Sequence, residues 1–558
     1  MSAFTPVNSA TEPVARRLPE QVMRLDRLGS AHPTRLSFLR ILLRRMQQDA
    51  WRFDRPLWQV DATGVGVGVY RAIGPDRSYS LIAFAHDLPD DMRSDRVIAT
   101  AWDATFTLFD GEPSSADIER LSRNVPLQEA GRISARELSL SRANRSVRLF
   151  EHVVECLSQG QQPDVAQIDA VGYLMRTTAV YGSGKFGAAD RRDLCDRAEF
   201  TEPFQVEMLS VWLTRQFVVD IAEHLAASRG GQQAVRLDPG LRHRLGVGNS
   251  TGLGMAPFIV RHPVLLHNWM VVREEALSRV RSCETVDSNT VAALRDALEQ
   301  ARANARSWHS EHPVQVPRLA ALRTDLDKLA EHLESVDFKV FRPWNVLWQW
   351  GEQALSLEGQ EALLSILLEP HGHLVDGLSA CLSADESVAF RLDGAMSVAR
   401  LRALLETVYN WALDIDFDDP KNSARFWYVS EEKLEPRLGD RAREEGAELE
   451  QPLCVARLAK ALHVALQPWS EETPVADFLL RHPEHRFMVR RAQLGARFPY
   501  AEVRDNLIAE DILPIDLMRC KLAFFGASHF DPRSDRWVRI SLFKGAPYPD
   551  ELNSEPRT

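Results

Sequence analysis

Val97-Ile-Ala-Thr-Ala-Trp-Asp-Ala-Thr-Phe-Thr-Leu-Phe109 is the stretch on which the fold turns. Ile98, Thr100, Trp102, Ala104, Phe106 and Leu108 share one parity, and Asp103, Thr105 and Thr107 take the other. A period of two is what a pleated strand imposes when one face is buried and the other is polar. Upstream, Leu57–Ala62, Val65–Arg71 and Tyr79–Ala85 are likewise rich in Val, Ile, Thr and aromatic residues. Turn formers at Gly74-Pro-Asp76 and Pro89-Asp-Asp91 break up the series. Short links of this kind predict an antiparallel meander. Gly64-Val-Gly-Val-Gly68 lacks both the GxGxxG spacing and a following helix, so it reads as a strand with one flat face, not a nucleotide loop.

Downstream, from about residue 115 to 415, the period lengthens toward that of a helix. Ala135–Leu157, Pro203–Ala227, Pro257–Arg281, Asn289–Ser307, Arg318–Glu334, Gln360–Leu368 and Ser397–Leu413 carry the pattern, with Pro203 and Pro257 at first-turn positions. Beyond 420, Phe426–Val429, Met518–Phe525 and Trp537–Phe543 read as strands, the last two as a hairpin with a long loop. The expected class is α+β and predominantly α-helical. Its antiparallel sheet comes from the meander at about 57–109, with further strands near the C-terminus, around a large helical middle. The expected divisions are a tail at 1–14, a helix plus meander over 15–112, a helical domain with two glycine-rich loops over 113–415, and an α+β region over 416–558. Asp440–Glu450 reads as a charged linker.

Composition excludes several classes. Of 558 residues, 45% are hydrophobic and 26% charged, which rules out wholesale disorder and fibrous repeats. Lys and Arg number 67 against 78 Asp and Glu, a net −11 that opposes general nucleic-acid binding. No apolar run is long enough to span a membrane and the first residues lack a signal-peptide core, so a cytoplasmic location is expected. The six cysteines are too widely spaced for a CxxC pair and read as reduced thiols. Arg35, Arg40, Arg44 and Arg45 surround an amphipathic helix within Pro33–Phe53. A face paired with this chain's own carboxylates is expected there over a docking surface.

Two glycine-rich stretches are the candidates for chemistry. In Tyr181-Gly-Ser-Gly-Lys-Phe-Gly187, the glycines would let successive N–H groups face one anion, with the Ser183 hydroxyl and Lys185 charge beside Gly182 and Gly184. It is not a Walker A loop, because Phe186 stands where Ser or Thr is required. In Gly246-Val-Gly-Asn-Ser-Thr-Gly-Leu-Gly-Met-Ala-Pro257, Asn249, Ser250 and Thr251 are N-cap types ahead of a helix holding Arg261, His262 and His267.

Weaker signals complete the survey. Asp414, Asp416 and Asp418 could gather oxygen ligands for a divalent cation but depart from the EF-hand pattern. His371 with His373, and His309 with His312, fall short of a zinc ligand set. Trp344 and Trp348 lie four apart and read mainly as core, and Ser528-His529 near Asp531 resembles a triad by composition alone.

The expected function is an enzyme that holds a small carboxylate- or phosphate-bearing substrate between the two glycine stretches. Lys185 and Arg261 would orient it, and His262, His267 or His529 would move protons without a redox cofactor. No resident cofactor or metal is implied, and self-association is compatible with the chain's size. The alternatives are a non-catalytic helical protein that binds a partner, or a regulator that binds a metabolite.

Overall fold

The computed structural model describes residues 12–89, 101–128, 131–177, 194, 197–250, 259, 262–310, 313, 315–382, 390–419, 427–429, 436–438, 455–504, 514–531 and 539–552. Its strands are β1 (Arg52–Val60), β2 (Gly66–Ile73), β3 (Ser78–Ala85), β4 (Ala104–Asp110), β5 (Glu137–Arg145), β6 (Tyr173–Thr177), β7 (Gly246–Ser250), β8 (Trp427–Val429), β9 (Pro436–Leu438), β10 (His529–Asp531) and β11 (Arg539–Leu542). Nine of them form one sheet in the order β1-β2-β3-β4-β5-β6-β7-β11-β10, and β8 and β9 form a separate hairpin. Neighbours are antiparallel throughout the large sheet except β6 and β7, which run parallel. The meander and the C-terminal strands therefore belong to one sheet beside a helical bulk, and the fold is α+β.

The long helix Gln205–Gly230 lies along one face of this sheet, and 18 of its 26 residues are buried. A helix covered on nearly all sides needs apolar side chains all round, which Val206, Leu209, Trp212, Leu213, Phe217 and Ile221 supply. Phe106 of β4 meets Phe217 with ring centroids 5.3 Å apart, and Tyr70 of β2 meets it edge-on at 6.3 Å. Phe106 and Leu108 thus lie on the helix side, as the alternation at 97–109 predicts. On the opposite face Val69, Ile82, Phe84 and Phe109 pack with Leu121 in a smaller cluster.

Three readings of local structure are corrected. Ala135–Leu157 is not one helix but β5 followed by the helix Phe150–Ser158. Within it Leu138-Ser-Leu-Ser141 alternates strictly, a strand signal outweighed in the sequence by the helical pattern that follows. Met518–Phe525 belongs to the helix Pro514–Phe525, and β11 pairs instead with the short β10. Short apolar runs buried on all sides do not distinguish strand from helix by period. Gly246–Ser250 is a strand rather than a loop, so Asn249 and Ser250 cap no helix.

Other expectations hold. The basic helix spans Phe38–Gln48, and its arginines, with Arg35 just before it, face this chain's carboxylates: Arg35 and Arg44 meet Asp376, Arg40 meets Glu369, and Arg45 meets Glu202. Trp344 and Trp348 are buried core residues. No described helix is long and apolar enough to cross a membrane. The four described cysteines are free thiols.

Candidate functional site

The one parallel pair among the described strands ends at Thr177 on β6 and Ser250 on β7, with Arg176 in register with Gly248. These are the residues from which the chain departs toward each glycine-rich stretch. Gly248 permits the close approach: a Cβ there would lie 2.6 Å from the Tyr173 ring. Parallel strands that end side by side place two chain departures at the same edge of a sheet, where open α/β sheets collect ligands.

On the helix side of this edge sits a buried hydrogen-bonded chain. Asn249 is wholly buried and shares parity with Val247, which joins the main core. Its Nδ2 donates to the Thr177 carbonyl at 2.9 Å, and its Oδ1 accepts from Lys521 Nζ at 2.5 Å. Lys521 comes from Pro514–Phe525, is 1% exposed and has the Phe525 ring 5.7 Å from its ammonium nitrogen. Burial drives its pKa well below the usual lysine value, so the neutral amine is favoured far more than in water.

β5 extends past the level of Thr177, which is opposite Ala143. Ser141 lies across from Phe106 and Ser139 across from Leu108, so both hydroxyls face the long helix. Both serines are almost fully buried, as is Ser210 two helical turns before Phe217, and their hydroxyl oxygens have no hydrogen-bond partner among the described residues. Buried hydroxyls usually find partners, and three without one in this layer mark it as a place built for polar contacts.

The other face is cationic. Arg142 stacks on Trp102 at 4.2 Å, and burial lowers its pKa to about 10. Arg176 pairs in register with Asn144, whose Oδ1 accepts the Asp103 backbone N–H at 3.1 Å and whose Nδ2 is unpartnered among the described residues. Arg145 donates its backbone N–H to Asp103 Oδ2 at 2.9 Å. His86 donates its backbone N–H to the Asp103 carbonyl. Burial pulls its imidazole down to about 4 despite the nearby Asp103 charge. Arg142 and Arg176 thus lie on this face with Asp103, and the Arg145 guanidinium pairs with both Asp103 and Glu151.

Of the residues singled out in the sequence, Asn249 lies in this site and Ser250 ends β7 beside it. Gly182, Ser183, Gly184, Lys185, Thr251 and Arg261 lie outside the described residues. His262 is the residue before the helix Pro263–Arg281, so His267 sits in that helix's second turn. His267 accepts the Tyr500 backbone N–H at Nδ1 (3.0 Å) and packs against Phe498 and Tyr500. Burial, with the Arg16 charge, lowers it to about 4, so it is neutral near pH 7. His529 lies in β10 and its backbone pairs with Ser541 of β11. Asp416 Oδ1 caps the Asp418 N–H in an exposed turn, and no metal-holding group of His, Cys, Asp or Glu occurs among the described residues.

Sequence reading missed Arg142 and Arg176, and singled out Lys521 only as one of several charged residues crowded near the expected C-terminal hairpin. Locally it is a lone lysine inside an apolar run, a pattern that marks either a helix face or a buried amine.

Comparison with protein-family models, curated proteins and solved structures gives no match to this chain.

Proposed function

We propose that this protein is an enzyme that binds a small carboxylate- or phosphate-bearing substrate at the carboxyl ends of β6 and β7. The observation that carries the reading is that these strands are adjacent and parallel, with Arg176 near the end of β6 and the buried Lys521 bonded to Asn249 near the end of β7. In this reading Lys185, Arg261 and the N–H groups of Gly182–Gly184 and Thr251 complete the anion's contacts. Fixed donors of this kind stabilise charge without reorganising during reaction. Lys521, its pKa lowered by burial, supplies a base beside the anion, a role for which His267 is less suited in its packed position.

The test is ligand-dependent stabilisation. Inorganic phosphate and pyruvate should each raise the melting temperature of the full chain. Lys185→Ala and Arg176→Met should abolish that rise while leaving the unliganded melting temperature nearly unchanged. Equal loss of both properties would show these side chains to be structural. Stabilisation without turnover of any small anionic substrate would favour a metabolite-binding regulator. Docking of a partner through the N-terminal helix draws no support from its arginines, which are engaged with Asp376, Glu369 and Glu202.

A further inference from the structure

We infer that the groove between strands β1 and β2 and the long helix binds a primary amine carried on a hydrocarbon stem, with Glu223 as the partner of its ammonium group. This site is separate from the anion-binding one and does not depend on it. The groove encloses about 1010 Å³, with Arg55, Trp58 and Tyr70 on one side and residues 234–239 on another. Glu223 lines it one helical turn beyond Asp220. Its Oε1 accepts the Leu237 backbone N–H at 3.1 Å, and the described contact of Oε2 is Arg236 Nε, 4.0 Å away on a side chain 92% exposed. An ion pair so open to water holds a carboxylate only weakly.

The other carboxylates of the groove are already matched. Arg55 Nη1, the Tyr70 hydroxyl and Gln216 Nε2 donate to Asp220 at 2.7, 2.7 and 2.6 Å. Arg71 donates to both oxygens of Asp54, and Arg242 to both oxygens of Asp550. Asp238 Oδ1 accepts the N–H groups of Gly240 and Leu241. Glu223 is left as the half-buried carboxylate without a close cation. Burial, with the nearby Asp220 charge, raises its pKa, so a bound cation restores the ionised form. The kind of cation follows from which oxygen is open. A guanidinium fork needs both carboxylate oxygens, and Leu237 occupies one, whereas an ammonium is a point charge that bonds a single oxygen. Beside Glu223, Val219, Ala227, Val235 and Leu237 offer an apolar stem a surface to lie on. An apolar lining with a few placed polar groups is the usual build of a small-molecule site.

Isothermal titration of the full chain with hexylamine should show saturable binding, and hexanol, which has the stem without the charge, should show none. Glu223→Gln keeps an oxygen for the Leu237 N–H and removes the charge. It should weaken hexylamine binding about tenfold or more, with its urea midpoint equal to the parent's or higher. Val235→Lys puts an ammonium on the exposed rim of the groove and should weaken binding too, so the test stands even if the first variant folds poorly. Nα-acetyl-lysine amide presents the same ammonium as a lysine side chain. Tighter binding of that compound than of hexylamine assigns a peptide lysine, and weaker binding assigns a free amine. No saturable binding of either amine, or equal binding of hexylamine and hexanol, would overturn the site. Binding undiminished in both variants would overturn the role of Glu223. Inorganic phosphate should stabilise Glu223→Gln as it does the parent, so loss of the amine site leaves the anion site standing.

Discussion

Lys521 Nζ reaches Asn249 Oδ1 across 272 residues of sequence, and together they tie the helix Pro514–Phe525 to the end of the parallel strand pair. Burying an amine among Phe525 and core residues carries a desolvation cost that its polar contacts must offset. Lys521→Met keeps the length and removes the desolvation. The expected outcome in urea titrations is an unchanged or higher stability, by about 1 kcal/mol or more, with stabilisation by phosphate abolished. A loss as large as that of Asn249→Ala would mean the lysine serves the fold.

The same burial sets a pH dependence. The folded-state pKa of Lys521 lies well below the unfolded value of 10.5. Between those two values the unfolded chain binds a proton the native one does not, so stability from this group rises with pH toward 10.5. Lys521→Met should flatten that alkaline rise relative to the parent in parallel urea titrations at pH 8, 9 and 10. Identical slopes would place the native lysine in its charged form.

Arg17 anchors the N-terminal segment into the helical half. Its Nε and Nη2 donate to Glu274 at 2.8 and 2.7 Å and its Nη1 to Glu361 at 2.8 Å, all three side chains being buried. Arg273 also contacts both carboxylates. Burial alone would raise the Glu361 pKa, but Arg17 and Arg273 hold it below the usual range. Arg17→Met removes one cation from a buried set and should cost about 3–5 kcal/mol in urea unfolding. Arg16→Met, a few ångströms away and half-exposed, should change little.

How much of this could be read beforehand depends on what each residue packs against. The alternation at Phe106 and Leu108 survived because one face meets the long helix and local period therefore matched tertiary burial. Leu138 and Leu140 alternated too, yet the run continued into a helix and the strand signal was diluted. Arg142 drew no notice and Lys521 read only as part of a charged cluster near the C-terminus, because what distinguishes them is burial, which comes from segments far away in the sequence. The glycine stretches were legible as unusual, but the adjacency of Thr177 and Ser250 is a property of strand order. Nothing local in either segment encodes it.

His267 offers a test at acid pH. Burial first, then Arg16, lowers its folded pKa to about 4 against 6.5 unfolded. As pH falls from 6.5 to 4 the unfolded chain gains the proton first, so this histidine withdraws stability across that window and no further below it. His267→Gln keeps an acceptor for the Tyr500 N–H and removes the titration. Its melting temperature should fall less than the parent's between pH 6.5 and 4.5, and activity on any identified substrate should persist. Loss of activity with an unaltered acid profile would return His267 to the catalytic set.

Gly248 tests the geometry on which the site depends. Glycine inside a strand commonly marks a close approach, and here the neighbour is the Tyr173 ring, 2.6 Å from where a Cβ would stand. Real Cβ atoms do not come so near, so alanine must push Tyr173 or separate β6 from β7. Overpacking of this kind costs about 1–3 kcal/mol. It should also displace Asn249 from the Thr177 carbonyl and weaken phosphate stabilisation beyond the loss in folding free energy. Gly377→Ala is the control, because no heavy atom lies within 4 Å of its Cβ position. Should Gly248→Ala match Gly377→Ala in both urea midpoint and phosphate response, the close strand contact would have no part in holding the site.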